Sequence, residues 1–134
     1  MTLMAIDYGT RRIGIAVSDS GILATPHSVM RNEGDVVARL AELAGALGAA
    51  TIILGLPRRP NSDRHEKTYR DLAERLRQKT CKDVVLWDET LSTSEAADRL
   101  REAGRKRRDQ RDIDMHAAAV ILQSYIDAHG RRPS

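Results

Sequence analysis

Carboxylates recur in this chain where an apolar run stops. Leu3 to Asp7 is apolar until its last residue, and Asp7 stands at the carboxyl end of what reads as a strand. Ligands of α/β sheets bind in the crevice beyond the carboxyl ends of the strands, so Asp7 occupies a position suited to a catalytic acid. It could equally bond the amides of the Tyr8-Gly9-Thr10 turn, a common use of aspartate. Val84-Val85-Leu86-Trp87 repeats the pattern and runs into two adjacent acids, Asp88 and Glu89. Strand alternation sends those two to opposite faces. Only one can join a shared site, and their chemistry alone does not choose between them; both could be ordinary charges opening a loop. A third acid, Asp114, belongs to the stripe Asp114, Ala117, Ala118, Ile121, Leu122 and Tyr125, spaced as one face of a helix. Near a helix start it could simply complement the helix dipole, with Asp112 competing as N-cap.

Two strand ends and a helix start can bring such acids together around Mg²⁺ or Mn²⁺, cations that prefer carboxylate and water to imidazole or thiolate. A pair of these ions about 3.5 to 4 Å apart activates water and steadies the leaving oxygen in phosphoryl displacement. No Ser-His-Asp or Cys-His arrangement is then required. The densest charge cluster, Arg105-Lys106-Arg107-Arg108 with Arg111 close behind, precedes Asp114 and is expected in a loop. It can grip a phosphate backbone, although a basic run is also an ordinary solvated surface. Thr10, Arg11, Arg12, Arg58, Arg59 and Arg64 are expected in loops near the same sheet edge and would extend the grip. The four histidines form no metal-ligand pattern. His116 lies two residues after Asp114, about 200° around the helix, and is expected to pack beside the core. Trp87 could stack on a base, but within a buried strand it reads first as core.

These side chains need a scaffold. Leu3 to Asp7 and Arg12 to Ser18 read as a hairpin turning at Tyr8-Gly9-Thr10-Arg11, with Ala24 to Met30 as a third strand. Asp35 to Leu47 has helical spacing and Gly48 as its stop. Thr51 to Leu54 and Val84 to Trp87 are short continuous apolar runs, typical of parallel strands covered on both faces. Helices are expected from about Ser62 to Lys79, after the capping box Ser92-Thr93-Ser94-Glu95, and from about Asp112 to Ala128. Antiparallel strands first and right-handed β-α-β crossovers afterwards make a three-layer α/β domain.

With 134 residues the chain supports one domain over 1–134, and 129–134 reads as a flexible tail. Phenylalanine is absent, so the core must come from Leu, Ile, Val and Ala. No apolar run approaches a membrane span, and the N-terminus lacks a basic region followed by an apolar stretch. A cytoplasmic protein without membrane contact is expected. Cys81 is the single cysteine, which excludes an internal disulfide and a cysteine-based zinc cluster. A net charge of +3 tilts the expectation toward a polyanionic partner.

The run Ile6-Asp7-Tyr8-Gly9-Thr10-Arg11-Arg12-Ile13-Gly14-Ile15-Ala16-Val17-Ser18-Asp19 resembles the opening motif of the YqgF/RuvX proteins, bacterial ribonuclease H-like nucleases related to the RuvC Holliday junction resolvases. Gly55-Leu56-Pro57, Trp87-Asp88-Glu89 with Leu91-Ser92-Thr93, and Ile113-Asp114 with Ala117-Ala118 resemble the family's later motifs in the same order. The resemblance spans roughly Leu3 to Asp127. It implies that Asp7, Glu89 and Asp114 are the catalytic and metal-binding acids, selecting Glu89 over Asp88 and Asp114 over Asp112. It implies a five-stranded mixed sheet in the order 3-2-1-4-5, and that the missing side chain of Gly55 leaves room for metal ions. The implied activity is processing of the 5′ end of pre-16S rRNA in ribosome biogenesis. Holliday junction resolution is the alternative, and it would call for a homodimer because two symmetric strands are cut. Thr90, His116 and the glycine-free Arg58 to Asp63 depart from the family pattern and bear on substrate preference. A nucleic-acid-binding ribosome assembly factor without catalysis is a third reading. Asp-Tyr-Gly-Thr also resembles the phosphate turn of the actin and sugar-kinase superfamily, but those proteins close two such domains over a nucleotide and this chain shows one.

Overall fold

The computed structural model describes residues 1–56, 63–88, 95–106 and 109–129. Strand β1 (Thr2–Tyr8) pairs antiparallel with β2 (Arg12–Ser18), which pairs antiparallel with β3 (Thr25–Arg31). Helix α1 (Val36–Leu47) leads into β4 (Ala49–Leu56), parallel to β1, and α2 (Asp63–Thr80) leads into β5 (Asp83–Asp88), parallel to β4. Helices α3 (Glu95–Lys106) and α4 (Gln110–His129) follow. The sheet order is β3-β2-β1-β4-β5, as the resemblance implied.

Alternation along the strands sorts the core into two unlike layers. On one face Met4, Ile6, Ile13, Ile15, Ile52 and Leu54 pack against Leu40 of α1 and Leu72 and Leu76 of α2. On the other face the sheet offers Ala5, Ala16 and Ile53 to Ala118, Ala119, Ile121 and Leu122 of α4. Small residues on that second face let α4 lie close to the strands. Helix α3 packs on α4 in turn.

Local chemistry sets the helix ends. The Asp35 carboxylate accepts the Ala38 amide at 3.1 Å, and Gly48, at φ 67°, takes the left-handed conformation that closes α1. Two expectations change. Helix α4 starts at Gln110, because the Asp109 carboxylate accepts the Arg111 amide at 3.0 Å and its carbonyl accepts from Ile113. Asp112 therefore sits inside the first turn and is not the N-cap. The burial of α4 also exceeds a stripe, covering His116, Ala118 to Ser124 and Ile126, because α3 takes the side that the sheet leaves uncovered. The Ser92-Thr93-Ser94 part of the capping box and the tail from residue 130 fall outside the described residues.

Candidate active site

Asp7 is the penultimate residue of β1, and its partner across the antiparallel ladder is Gly14 of β2. Residues directly opposite in such a pair share a face of the sheet. A Cβ added to Gly14 would lie 2.1 Å from the carbonyl oxygen of Asp114. The backbone of α4 thus rests on Gly14, and only a missing side chain permits it. Asp7 shares its face with Ala5, which packs under α4. One glycine therefore brings the backbones that carry Asp7 and Asp114, 107 residues apart in sequence, to the same patch of sheet.

The carboxylate of Asp114 is only half satisfied. Its Oδ1 accepts from Gln110 Nε2 at 2.9 Å, whereas Oδ2 is buried with no hydrogen-bond partner among the described residues. Such an oxygen costs free energy unless something neutralises it. A hard cation is the partner that an all-carboxylate donor set selects, so the residues present fit Mg²⁺ or Mn²⁺. Among the described residues no group of three His, Cys, Asp or Glu side chains stands together; Asp7 and Asp114 are the described pair.

Strand β5 answers the choice between neighbouring acids for Asp88. Leu86 belongs to the α1/α2 layer and Trp87 to the α4 layer. Alternation then puts Asp88 on the α1/α2 face, away from Asp7 and Asp114. Glu89 lies outside the described residues. The Trp87 indole donates from Nε1 to Ser124 Oγ at 3.1 Å and meets the Tyr125 and His129 rings edge-on, at centroid distances of 5.4 and 5.2 Å. It is a packing residue on α4, as the core reading expected.

A Cβ on Gly55 would lie 2.5 Å from Cδ1 of Ile121, so the side chain it lacks makes room for α4. His116 packs against Gly104 of α3, where an added Cβ would come within 3.1 Å of the His116 Cβ, and its Nδ1 donates to the Asp112 carbonyl at 2.7 Å. That arrangement holds it beside the core.

The turn after Asp7 is tightly tied. The Gly9 amide donates to the Arg12 carbonyl at 3.0 Å, and a Cβ on Gly9 would come within 2.4 Å of that oxygen. Asn32, just past β3, donates from Nδ2 to the Gly9 carbonyl at 2.8 Å and from its backbone amide to the Arg11 carbonyl at 2.9 Å. The Tyr69 hydroxyl, on α2, donates to the Tyr8 carbonyl at 2.9 Å. Thr10, Arg11 and Arg12 remain exposed. Arg105 and Lys106, expected in a loop, form the last turn of α3 instead and are exposed, with Arg105 3.6 Å from Glu102. Arg111 is exposed in the first turn of α4. Arg58, Arg59, Arg107 and Arg108 lie outside the described residues.

Sequence reasoning missed Gly14, Gln110, Asn32 and Tyr69. Only Gly14 carried a signal, since glycine inside a strand marks close backbone approach.

Residues 1–128 match the family RuvX, described as Holliday junction resolvase. A Mycobacterium ulcerans protein named "Putative pre-16S rRNA nuclease" is 44% identical over 132 residues, covering 92% of this chain and 77% of its own length. A Symbiobacterium thermophilum protein of the same name is 40% identical over 140 residues, covering 99% and 96%. Among solved structures, Thermus thermophilus RuvC in complex with a Holliday junction superposes with a TM-score of 0.67 at 12% identity, covering 98% of this chain and 97% of that one. The fowlpox virus Holliday junction resolvase does so at 0.59 and 11%, covering 96% and 99%. The fold is therefore that of RuvC, ribonuclease H-like, and the chain belongs to the RuvX family.

Proposed function

We propose that this chain is a metal-dependent nuclease acting on structured nucleic acid, with the 5′ region of pre-16S rRNA as its substrate. The observation that carries the proposal is Asp114, whose backbone carbonyl lies over the glycine opposite Asp7 and whose Oδ2 is buried with no hydrogen-bond partner among the described residues. The names of the Mycobacterium and Symbiobacterium relatives support the choice of RNA. Asp7 and Asp114 would hold Mg²⁺ or Mn²⁺ together with Glu89, in a two-ion arrangement; when bound, such ions supply Lewis acidity at the scissile phosphate. Thr10, Arg11 and Arg12 on the turn, and Arg105, Lys106 and Arg111 beside α4, would position the phosphate backbone, with Arg58, Arg59, Arg107 and Arg108 extending the grip. The reading treats residues 1–134 as one nuclease domain working in the cytoplasm. No helix among the described residues is long and apolar enough to cross a membrane.

The family's description favours a second substrate, the four-way DNA junction. Resolving a junction needs two symmetric cuts and hence a homodimer, whereas trimming RNA does not. The test sets a structured rRNA precursor beside a four-way DNA junction, with Mn²⁺, Mg²⁺ or chelator, for wild type and Asp7→Asn. Metal-dependent cutting that Asp7→Asn loses is expected. Binding without cutting in any metal would replace the nuclease with an assembly factor.

A further inference from the structure

Four backbone carbonyls in the turn that follows Asp7 are engaged, and two residues remote in sequence supply three of the donors. Tyr69 takes the Tyr8 carbonyl, the Asn32 side chain takes that of Gly9, the Asn32 amide takes that of Arg11, and Gly9 itself takes that of Arg12. Tyr69 is 8% exposed and its ring meets that of Tyr8 edge-on at 5.8 Å, so its hydroxyl is fixed by packing as well as by the bond it makes. Turns usually leave their carbonyls to solvent and drift; here they are drawn toward α2 and the end of β3. The exposed side of the turn is left to Thr10, Arg11 and Arg12. The residue before this lock is Asp7.

We infer that Asn32 and Tyr69 are positioning residues: together they fix the backbone carrying Asp7 and aim Arg11 and Arg12 at the substrate. The inference rests on the function proposed above for Asp7. Tyr69 ties the site to α2, and Asn32 ties it to the end of β3, the edge strand of the sheet. A rigid support of this kind sets metal and substrate geometry without touching either.

The test compares Tyr69→Phe and Asn32→Ala with wild type. Tyr69→Phe keeps the ring contact and deletes only the hydroxyl. Tyr8→Phe serves as control, since the lock uses the Tyr8 carbonyl and not its hydroxyl. Four quantities are read: kcat and KM on the better substrate at saturating Mn²⁺, Mn²⁺ affinity by calorimetry, thermal midpoint, and amide hydrogen exchange along the chain. Each hydrogen bond lost should accelerate exchange at residues 8–12 selectively and lower kcat or Mn²⁺ affinity roughly threefold to tenfold. Tyr8→Phe should match wild type. A lowered midpoint with exchange raised across the sheet and kcat, KM and Mn²⁺ affinity intact would make both residues merely structural and overturn the inference. Should wild type cut neither substrate, the nuclease proposal fails, while exchange and Mn²⁺ affinity still decide this one: unchanged values in both variants overturn it.

Discussion

Oδ2 of Asp114 is buried with no hydrogen-bond partner among the described residues, and burying an unsatisfied polar group costs about 1–3 kcal/mol, more if it is charged. On the proposed function a cation relieves that cost, and the consequence is measurable without any substrate. Mn²⁺ should raise the thermal midpoint of wild type, since a ligand that binds only the folded state stabilises it by mass action; Asp114→Asn should be at least as stable as wild type in chelator and should lose most of the Mn²⁺ response. Differential scanning calorimetry with and without the ion checks both. Asp7→Asn should abolish cleavage while nucleic-acid affinity is kept or tightened, because a charge facing the phosphate is removed; a gel shift beside a cleavage assay separates the two effects. Gly14→Ala puts a methyl group where the Asp114 carbonyl already sits. Overpacking of this kind costs about 1–3 kcal/mol, and the displaced α4 should take cleavage with it. Denaturant unfolding gives the first number and the cleavage assay the second. At this scale the sequence was only partly legible. Asp7 and Asp114 stood out because each carboxylate interrupts an apolar pattern. Asn32 and Tyr69 did not, since a polar residue after a strand and a tyrosine on an amphipathic helix look the same whether or not they reach back to a turn.

Helix α4 is covered on both sides, by the sheet through Ala118, Ala119 and Leu122 and by α3 through the contact of Gly104 with His116. Helix α3 ends in Arg105 and Lys106, charges that complement the negative end of its dipole, and α4 opens with the exposed Arg111. Arg105 and Lys106 thus end one helix and Arg111 opens the next, with Asp114 a turn further along α4. If Arg105 and Lys106 each neutralise one phosphate, replacing both with alanine should weaken binding alike for all sequences and reduce the slope of log affinity against log salt by roughly 1.4 to 1.8 in magnitude. A filter-binding titration over salt measures it, and an unchanged slope would confine these residues to an ordinary solvated surface. The elements themselves were legible because hydrophobic period tracks helix and strand. What the pattern concealed in α4 was its start, where Asp109 rather than Asp112 supplies the capping oxygen, and its second buried side, which exists only because α3 folds back over it.

Across the whole molecule the two layers differ in kind. Large aliphatic side chains fill the α1/α2 side, while alanines and glycines line the α4 side, so the helix carrying the second acid approaches the strands more closely. The order β3-β2-β1-β4-β5 was accessible from the resemblance together with the run of strands and crossovers, but the close approach at Gly14 and Gly55 is a property of pairs of elements that no local window contains. The same arrangement has a consequence in time. Chains are made from the N-terminus, so Asp7 and its turn exist long before the helix that bears Asp114, and pairing over so large a sequence separation is the slow kind of contact. A nascent copy on a ribosome would lack Asp114, and with it the complete metal site proposed above, until α4 had been synthesised and had docked. An enzyme whose substrate is ribosomal RNA would thereby stay harmless to the machine that is making it.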